Sequence, residues 1–149
     1  MEKLKYILRL LIAVLAGSII GATVNMSIIL LQPLTIPLPE GTDVSSMDSL
    51  AKAMPNFRIK HFVMPFLAHA LGTLVGAFVA SIISKNPKQI SALIIGGIFL
   101  MGGIDMVRQL PSPLWFNILD LVGAYFPMAI MGCFAAIKIL KQVSNKKIQ

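Results

Sequence analysis

Polar positions thin out four times along the chain. Leu10–Leu31, Phe62–Ile83, Ile90–Val107 and Leu114–Leu140 are apolar runs broken only by small or isolated polar residues. About 20 helical residues cross roughly 30 Å of hydrocarbon. The first two runs therefore fit a span, the third is short, and the fourth is long enough to tilt and run on. The strict alternation of a membrane strand is absent, and lipid offers no partners to an open backbone. The pattern predicts an all-α membrane protein, one domain over 1–149, with transmembrane helices at approximately 10–31, 62–83, 90–107 and 114–140.

The connections complete this picture. Residues 32–60 form the one sizeable loop. Pro33, Pro37 and Pro39 predict extended backbone there. SSMDSLAKAM follows, with Ser45 and Asp48 spaced as a capping box and Met47, Leu50, Ala51 and Met54 at helical spacing, so a short amphipathic helix is expected before Pro55. It would lie on the membrane surface or cap the bundle. SKNPKQ predicts a tight turn between spans two and three, and RQLPSP an equally short link between three and four. Trp115 and Phe116 enter the fourth span at the level where Trp is favoured.

Composition agrees with a membrane chain. Of 149 residues, 56% are hydrophobic and 13% charged, against roughly 25% charged in soluble domains. Cys133 is the single cysteine, so there is no disulfide framework, thiol pair or zinc-ligand cluster, and no cofactor or metal is expected. The net charge of +7 has a geography. Lys3, Lys5, Arg9, Lys85, Lys88, Lys138, Lys141, Lys146 and Lys147, nine of the 13 basic residues, fall on one side; Lys52, Arg58, Lys60 and Arg108 fall on the other. The positive-inside rule then predicts an antiparallel N-in/C-in bundle with both termini cytoplasmic and 32–60 as an outer loop. The same charge favours anionic headgroups. Nucleic acid is excluded as a partner, because no soluble basic and aromatic face exists to hold it. Lys3, Lys5 and Arg9 also suit a cleavable signal, but the apolar run that follows outlasts the usual 7–15 residues or so, and a retained span is expected.

Polar residues inside the spans carry the candidate chemistry. Residues three, four and seven apart share a helix face. From His69 that face collects Pro65, Gly72, Thr73, Gly76 and Ala80, while Leu67, Leu71, Leu74, Phe78 and Ile82 suit lipid. Asp120 shares a face with Asn117, Gly123, Ala124, Pro127 and Met131; Gly17, Ser18, Gly21 and Asn25 form a third stripe. Gly17, Gly21, Gly72 and Gly76 are the expected helix-packing positions. At about 1.5 Å per residue, His69, Asp120 and Asn25 all lie roughly 9–10 Å below the outer boundary, where they could meet as a ligand-binding level. A His–carboxylate pair there reads as a functional, pH-sensitive site or as interhelical glue, worth about 0.6 kcal/mol on average. Asp105 and Arg108 read as an ordinary i,i+3 pair, Tyr125 as a hydroxyl needing a partner, and Pro127 as a kink.

No H-E-x-x-H, P-loop, G-x-S-x-G or paired aspartates occur. IPLPEGTD, FLAHALGTLVGAFVA and LPSPLWFNILDL resemble stretches of a group of small uncharacterised bacterial four-span membrane proteins; the resemblance covers most of the chain and implies no activity. The leading expectation is a non-enzymatic protein of a bacterial inner membrane, a homo-oligomer or a subunit of a larger membrane complex. In that role it binds or conducts a small solute at His69, Asp120 and Asn25. The alternative is a membrane enzyme acting on a lipid or isoprenoid, with His69 as general base and Asp120 orienting it.

Overall fold

The computed structural model describes residues 1–84 and 88–146. The turn SKNPKQ falls partly, and Lys85 and Lys147 wholly, outside them. The described residues form six α-helices and two short 3-10 turns with no strand: α1 (Glu2–Thr35), α2 (Met47–Ala53), the 3-10 turns Met54–Asn56 and Ile59–Phe62, α3 (Val63–Ile83), α4 (Lys88–Gln109), α5 (Leu114–Gly123) and α6 (Phe126–Lys146). Four helical segments, with α5 and α6 together as the fourth, are long and apolar enough to cross a membrane. These are the features of an integral membrane protein.

α1 is longer than its apolar run. Its 34 residues reach roughly 50 Å at 1.5 Å each, against about 30 Å of hydrocarbon. It also continues through Pro33, where extended backbone was expected. The proline has no N–H to give the Ile29 carbonyl, but only Leu34 and Thr35 remain beyond it. The Thr35 hydroxyl donates to Leu31 O at 3.0 Å and the Ile36 amide to Gln32 O at 2.8 Å, so the last turn is closed by other donors. The chain then leaves in extended form and turns at Pro39–Thr42, where Gly41 adopts φ 76° and the Thr42 amide donates to Pro39 O. The capping box of α2 is one residue later than the spacing suggested: the Ser46 hydroxyl accepts from the Ser49 amide at 3.1 Å and the Ser49 hydroxyl accepts from the Ser46 amide at 3.1 Å. Ser45 instead donates its amide to Asp43 Oδ1 at 2.8 Å, which holds that exposed carboxyl below its usual range.

α3 is the centre of the bundle and packs on α1, α4 and α6; its longest seam is with α1. α1 and α3 run antiparallel, and their backbones touch. A Cβ on Gly17 would lie 2.5 Å from Gly76 O, one on Gly21 would lie 2.6 Å from Gly72 O, and the reverse substitutions at Gly72 and Gly76 meet Asn25 and the α1 backbone within 3 Å. Backbone atoms cannot move aside as side chains do, so nothing larger than hydrogen fits. The stripes at 17/21 and 72/76 are thus occupied within one chain. They offer no free groove to a second copy, and the expectation of self-association loses that support. Behind the seam, Ala77, Ala80, Ala92, Ile95, Ala129 and Cys133 form the buried centre.

The fourth span is two helices. Pro127 leaves the Gly123 carbonyl without its i+4 donor, and its ring crowds that carbonyl, so the helix stops at Gly123 and restarts at Phe126 with Pro127 in the tolerated first turn. The break rotates the faces. Asp120 and Ala124 are buried as expected, but Pro127 and Met131 are exposed, and Ala129, Gly132, Cys133 and Ala136 take the inward positions instead.

Enlarging the seam should be costly, and the control lies on α4. Gly17→Val or Gly76→Val is expected to lose about 1–3 kcal/mol or more of stability to overpacking. Gly97→Ala and Gly102→Ala, which meet nothing within 4 Å, are expected to be neutral or to gain up to about 1 kcal/mol of helix propensity. Unfolding in mixed micelles measures both.

Candidate functional site: a His–Asp–Tyr cluster between α3 and α5

α3 and α5 run side by side from the same end of the bundle, and each brings one ionisable residue to their contact. His69 Nδ1 lies 2.9 Å from both Asp120 Oδ1 and Oδ2. The Tyr125 hydroxyl, from the link between α5 and α6, donates to Asp120 Oδ2 at 2.9 Å. Its ring stacks on the imidazole with centroids 5.8 Å apart and planes at 28°. Tyr125 is fully buried, the Asp120 side chain is 3% exposed, and that of His69 is 19% exposed. Thr73, also fully buried, donates its hydroxyl to the His69 carbonyl at 2.7 Å, a bond that holds the turn without joining the cluster.

An ionised carboxylate at this depth is costly. Asp120 has two side-chain donors, and among the described residues no lysine or arginine pairs with it; its one partner able to carry positive charge is His69. With Asp120 ionised, the contact fixes the ring: Nδ1 must donate, which leaves Nε2 as the atom that can gain or lose a proton. Every buried side-chain nitrogen and oxygen among the described residues has a partner. The cluster is therefore completed at every point except Nε2.

Two expected members do not join. Asn25 packs its Cβ over Gly72 and is half-buried, and among the described residues no hydrogen bond links it to His69 or Asp120. Asp105 accepts from Gln109 Nε2 at 2.6 Å, so its partner is one turn on and is not Arg108. Tyr125 is the member that helical spacing concealed. In an unbroken helix, five residues place Tyr125 well off the Asp120 face, and only the break at Gly123 turns it back. Opposite, Gly103 makes the room, since a Cβ there would collide with the Tyr125 hydroxyl.

The cluster is roofed. One turn before His69, α3 carries Phe66; Phe62 closes the 3-10 turn that leads into it, and one turn before Asp120, α5 carries Phe116. These pack with Met54, Leu50, Phe57 and Leu110 from the neighbouring loops. Phe62 also stacks edge-on with Phe57 and Trp115. The loop is fastened beneath by His61, whose Nδ1 accepts from the Arg58 amide at 2.9 Å and whose carbonyl accepts from Gln32 Nε2 at 3.2 Å. A separate open concavity, lined by Pro39, Glu40, Asp43 and Lys52, lies in the loop itself. Among the described residues, no group of three His, Cys, Asp or Glu is placed to hold a metal.

The cluster should couple energetically. Tyr125→Phe is expected to cost about 1–2 kcal/mol, since a donor to a charged acceptor is lost while the stack remains. His69→Ala and Asp120→Asn should deviate from additivity by about 0.5–3 kcal/mol in a double-mutant cycle, as groups in one network do. Neither effect should extend to Asn25→Ala. Comparison with protein-family models, curated proteins and solved structures finds no match to this chain.

Proposed function

We propose that this is a non-enzymatic membrane protein, an accessory or self-associating subunit, that binds or conducts a small solute at the His69–Asp120 cluster. One observation carries the reading: a carboxylate is buried within a membrane-length bundle, oriented against a histidine whose second nitrogen is left open. Asp burial at such depth costs about 2.5–3.5 kcal/mol on insertion scales, whereas an interhelical hydrogen bond returns about 0.6 kcal/mol on average. Packing alone is poor compensation, so a ligand is the better reason for the pair. The bilayer is one partner; copies of this chain or a larger complex are the other.

The distribution of charge supports a bacterial inner-membrane orientation with both termini cytoplasmic. The end built from the start of α1, the start of α4 and the end of α6 carries Lys3, Lys5, Arg9, Lys88, Lys138, Lys141 and Lys146. The cluster then lies in the outer half, beneath the outer loop with α2 on it.

The alternative, a membrane enzyme acting on a lipid or isoprenoid, has one observation in its favour. A carboxylate on Nδ1 with Nε2 free is also how a general base is held. The one hydroxyl that bonds to the cluster among the described residues, that of Tyr125, gives its hydrogen to Asp120 and not to the His69 ring.

Proteoliposomes separate the two. A panel of small polar solutes, protons included as steps of pH, followed by binding-induced stabilisation and by flux, should show binding or flux with wild type that falls about tenfold or more in Asp120→Asn, which is what losing about 1.4 kcal/mol of binding produces. The vesicle lipids should remain chemically unchanged; a His69-dependent lipid product would establish the enzyme instead. Reporter fusions at the N- and C-termini should both read cytoplasmic, and a fusion in the loop near Gly41 should read external.

A further inference from the structure

We infer that the solute taken by this site is the proton, bound and released at His69 Nε2 as a one-sided site with no continuation across the chain; this rests on the solute-binding reading above. Two observations support it.

The first is charge balance. Asp120, His69 and Tyr125 are neutral together when they carry one proton beyond the Asp–carboxylate, neutral-imidazole form, and carry −1 when they do not. No lysine or arginine pairs with the cluster among the described residues. Of the other ionisable groups near this end, Asp105 is bonded to Gln109, His61 is held in the loop, and Glu40, Asp43, Asp48, Lys52, Arg58, Lys60 and Arg108 are exposed. The cluster's charge is thus decided by its own proton. The one polar atom through which that proton can exchange is Nε2. Nδ1 and the tyrosine hydroxyl are both occupied by Asp120, while Nε2 has no partner among the described residues and, since no fully buried atom there lacks one, keeps part of its surface uncovered by the chain.

The second observation is what lies below. A conducting path would have to run from the cluster to the far end, where the Ser81 and Ser91 hydroxyls both donate to the Lys88 carbonyl and Ser91 bonds Ser84. Between Thr73 and Ser81, about 12 Å along α3, α3 carries no polar side chain. Neither does α4 between Ala92 and Ile104, nor α6 from Phe126 to Ile137 apart from Cys133. The space is filled by Ala77, Ala80, Ala92, Ile95, Ala129 and Cys133. On α1, Ser18 is a lone, half-buried hydroxyl at that level, and one hydroxyl does not bridge such a gap. A proton that enters at Nε2 can leave only by the way it came. A proton-binding site without a path is the arrangement of a sensor, in which gain or loss of one buried charge changes how firmly α3 and α5 hold each other.

The test uses the full chain with 15N-labelled histidine in detergent micelles and in liposomes. The His69 ring is assigned from the backbone of wild type and checked by its loss in His69→Asn, so the result does not depend on a variant that folds. Nε2 is expected to switch between protonated and bare across a pH titration while Nδ1 keeps its hydrogen, and Asp120→Asn should abolish that inequality between the two nitrogens. Vesicles containing wild type should pass protons no faster than empty vesicles under an imposed pH gradient. A ring that does not titrate, a titration at Nδ1, or Asp120-dependent proton flux each overturns the inference. If the ring is inert to pH but another solute acts through Asp120, the solute-binding reading stands without the proton. If the ring titrates as expected but lipid turnover depends on His69, the proton site stands and the non-enzymatic reading falls.

Discussion

The backbones of α1 and α3 touch at Gly17, Gly21, Gly72 and Gly76, and the rest of the molecule is arranged around that contact. In lipid there is no hydrophobic force to push two apolar helices together, so association rests on how closely they can pack. The glycines remove the side chains that would hold the axes apart. The seam sets the rotation of α3 about its own axis, and that rotation brings His69 against Asp120 of α5 with its side chain largely covered. It also leaves the far flank of α3, with Leu67, Leu71 and Ile82, facing outward.

A second constraint acts on the other side of α3. Gly132 lies so close to the α3 backbone at Leu74 and Phe78 that it too admits no side chain. α6 is thereby fixed in position, while α5 above it is free to take another direction because Pro127 interrupts the helix between them. The bundle is rigid and alanine-lined in its centre and more varied toward the loop end. The polar cluster sits at the boundary between the two, under an aromatic roof and above an apolar plug. A carboxylate, a histidine and a tyrosine are thus gathered where the backbone changes course, and burying the carboxylate is costly.

Binding and catalysis make different demands on such a cluster. A base needs a substrate with an acidic proton or a nucleophile within reach of Nε2. A binding site needs only an open atom and a change of charge that the surrounding structure can register. Asp120 is bonded both to His69 on α3 and to Tyr125 at the α5–α6 break, so one carboxylate joins three elements at once.

The sequence alone determined the class, because four apolar runs of this length have nowhere to go but lipid. It also carried the small-residue faces of the first two spans and placed His69, Asp120 and Asn25 at one depth, but that two of the three meet and the third does not was decided by packing. Helical periodicity is a local rule, and in unbroken α3 it placed Leu67, Leu71 and Ile82 outward, while Leu74 and Phe78, also expected to face lipid, are half-buried where α6 packs. It failed at Pro127 and Met131, which a continuous helix would have buried and the break at Gly123 turns outward. For the same reason it could not find Tyr125, five residues from Asp120 and on another face until the chain bends. Nor could spacing tell that Asn25 stops at Gly72, or that the glycine stripes are spent on each other within one chain. Those outcomes depend on which helix lies beside which, and on where a proline forces the axis to turn. Only the tertiary structure decides that, because short loops constrain neighbours in sequence but leave the rotation and order of the helices to packing.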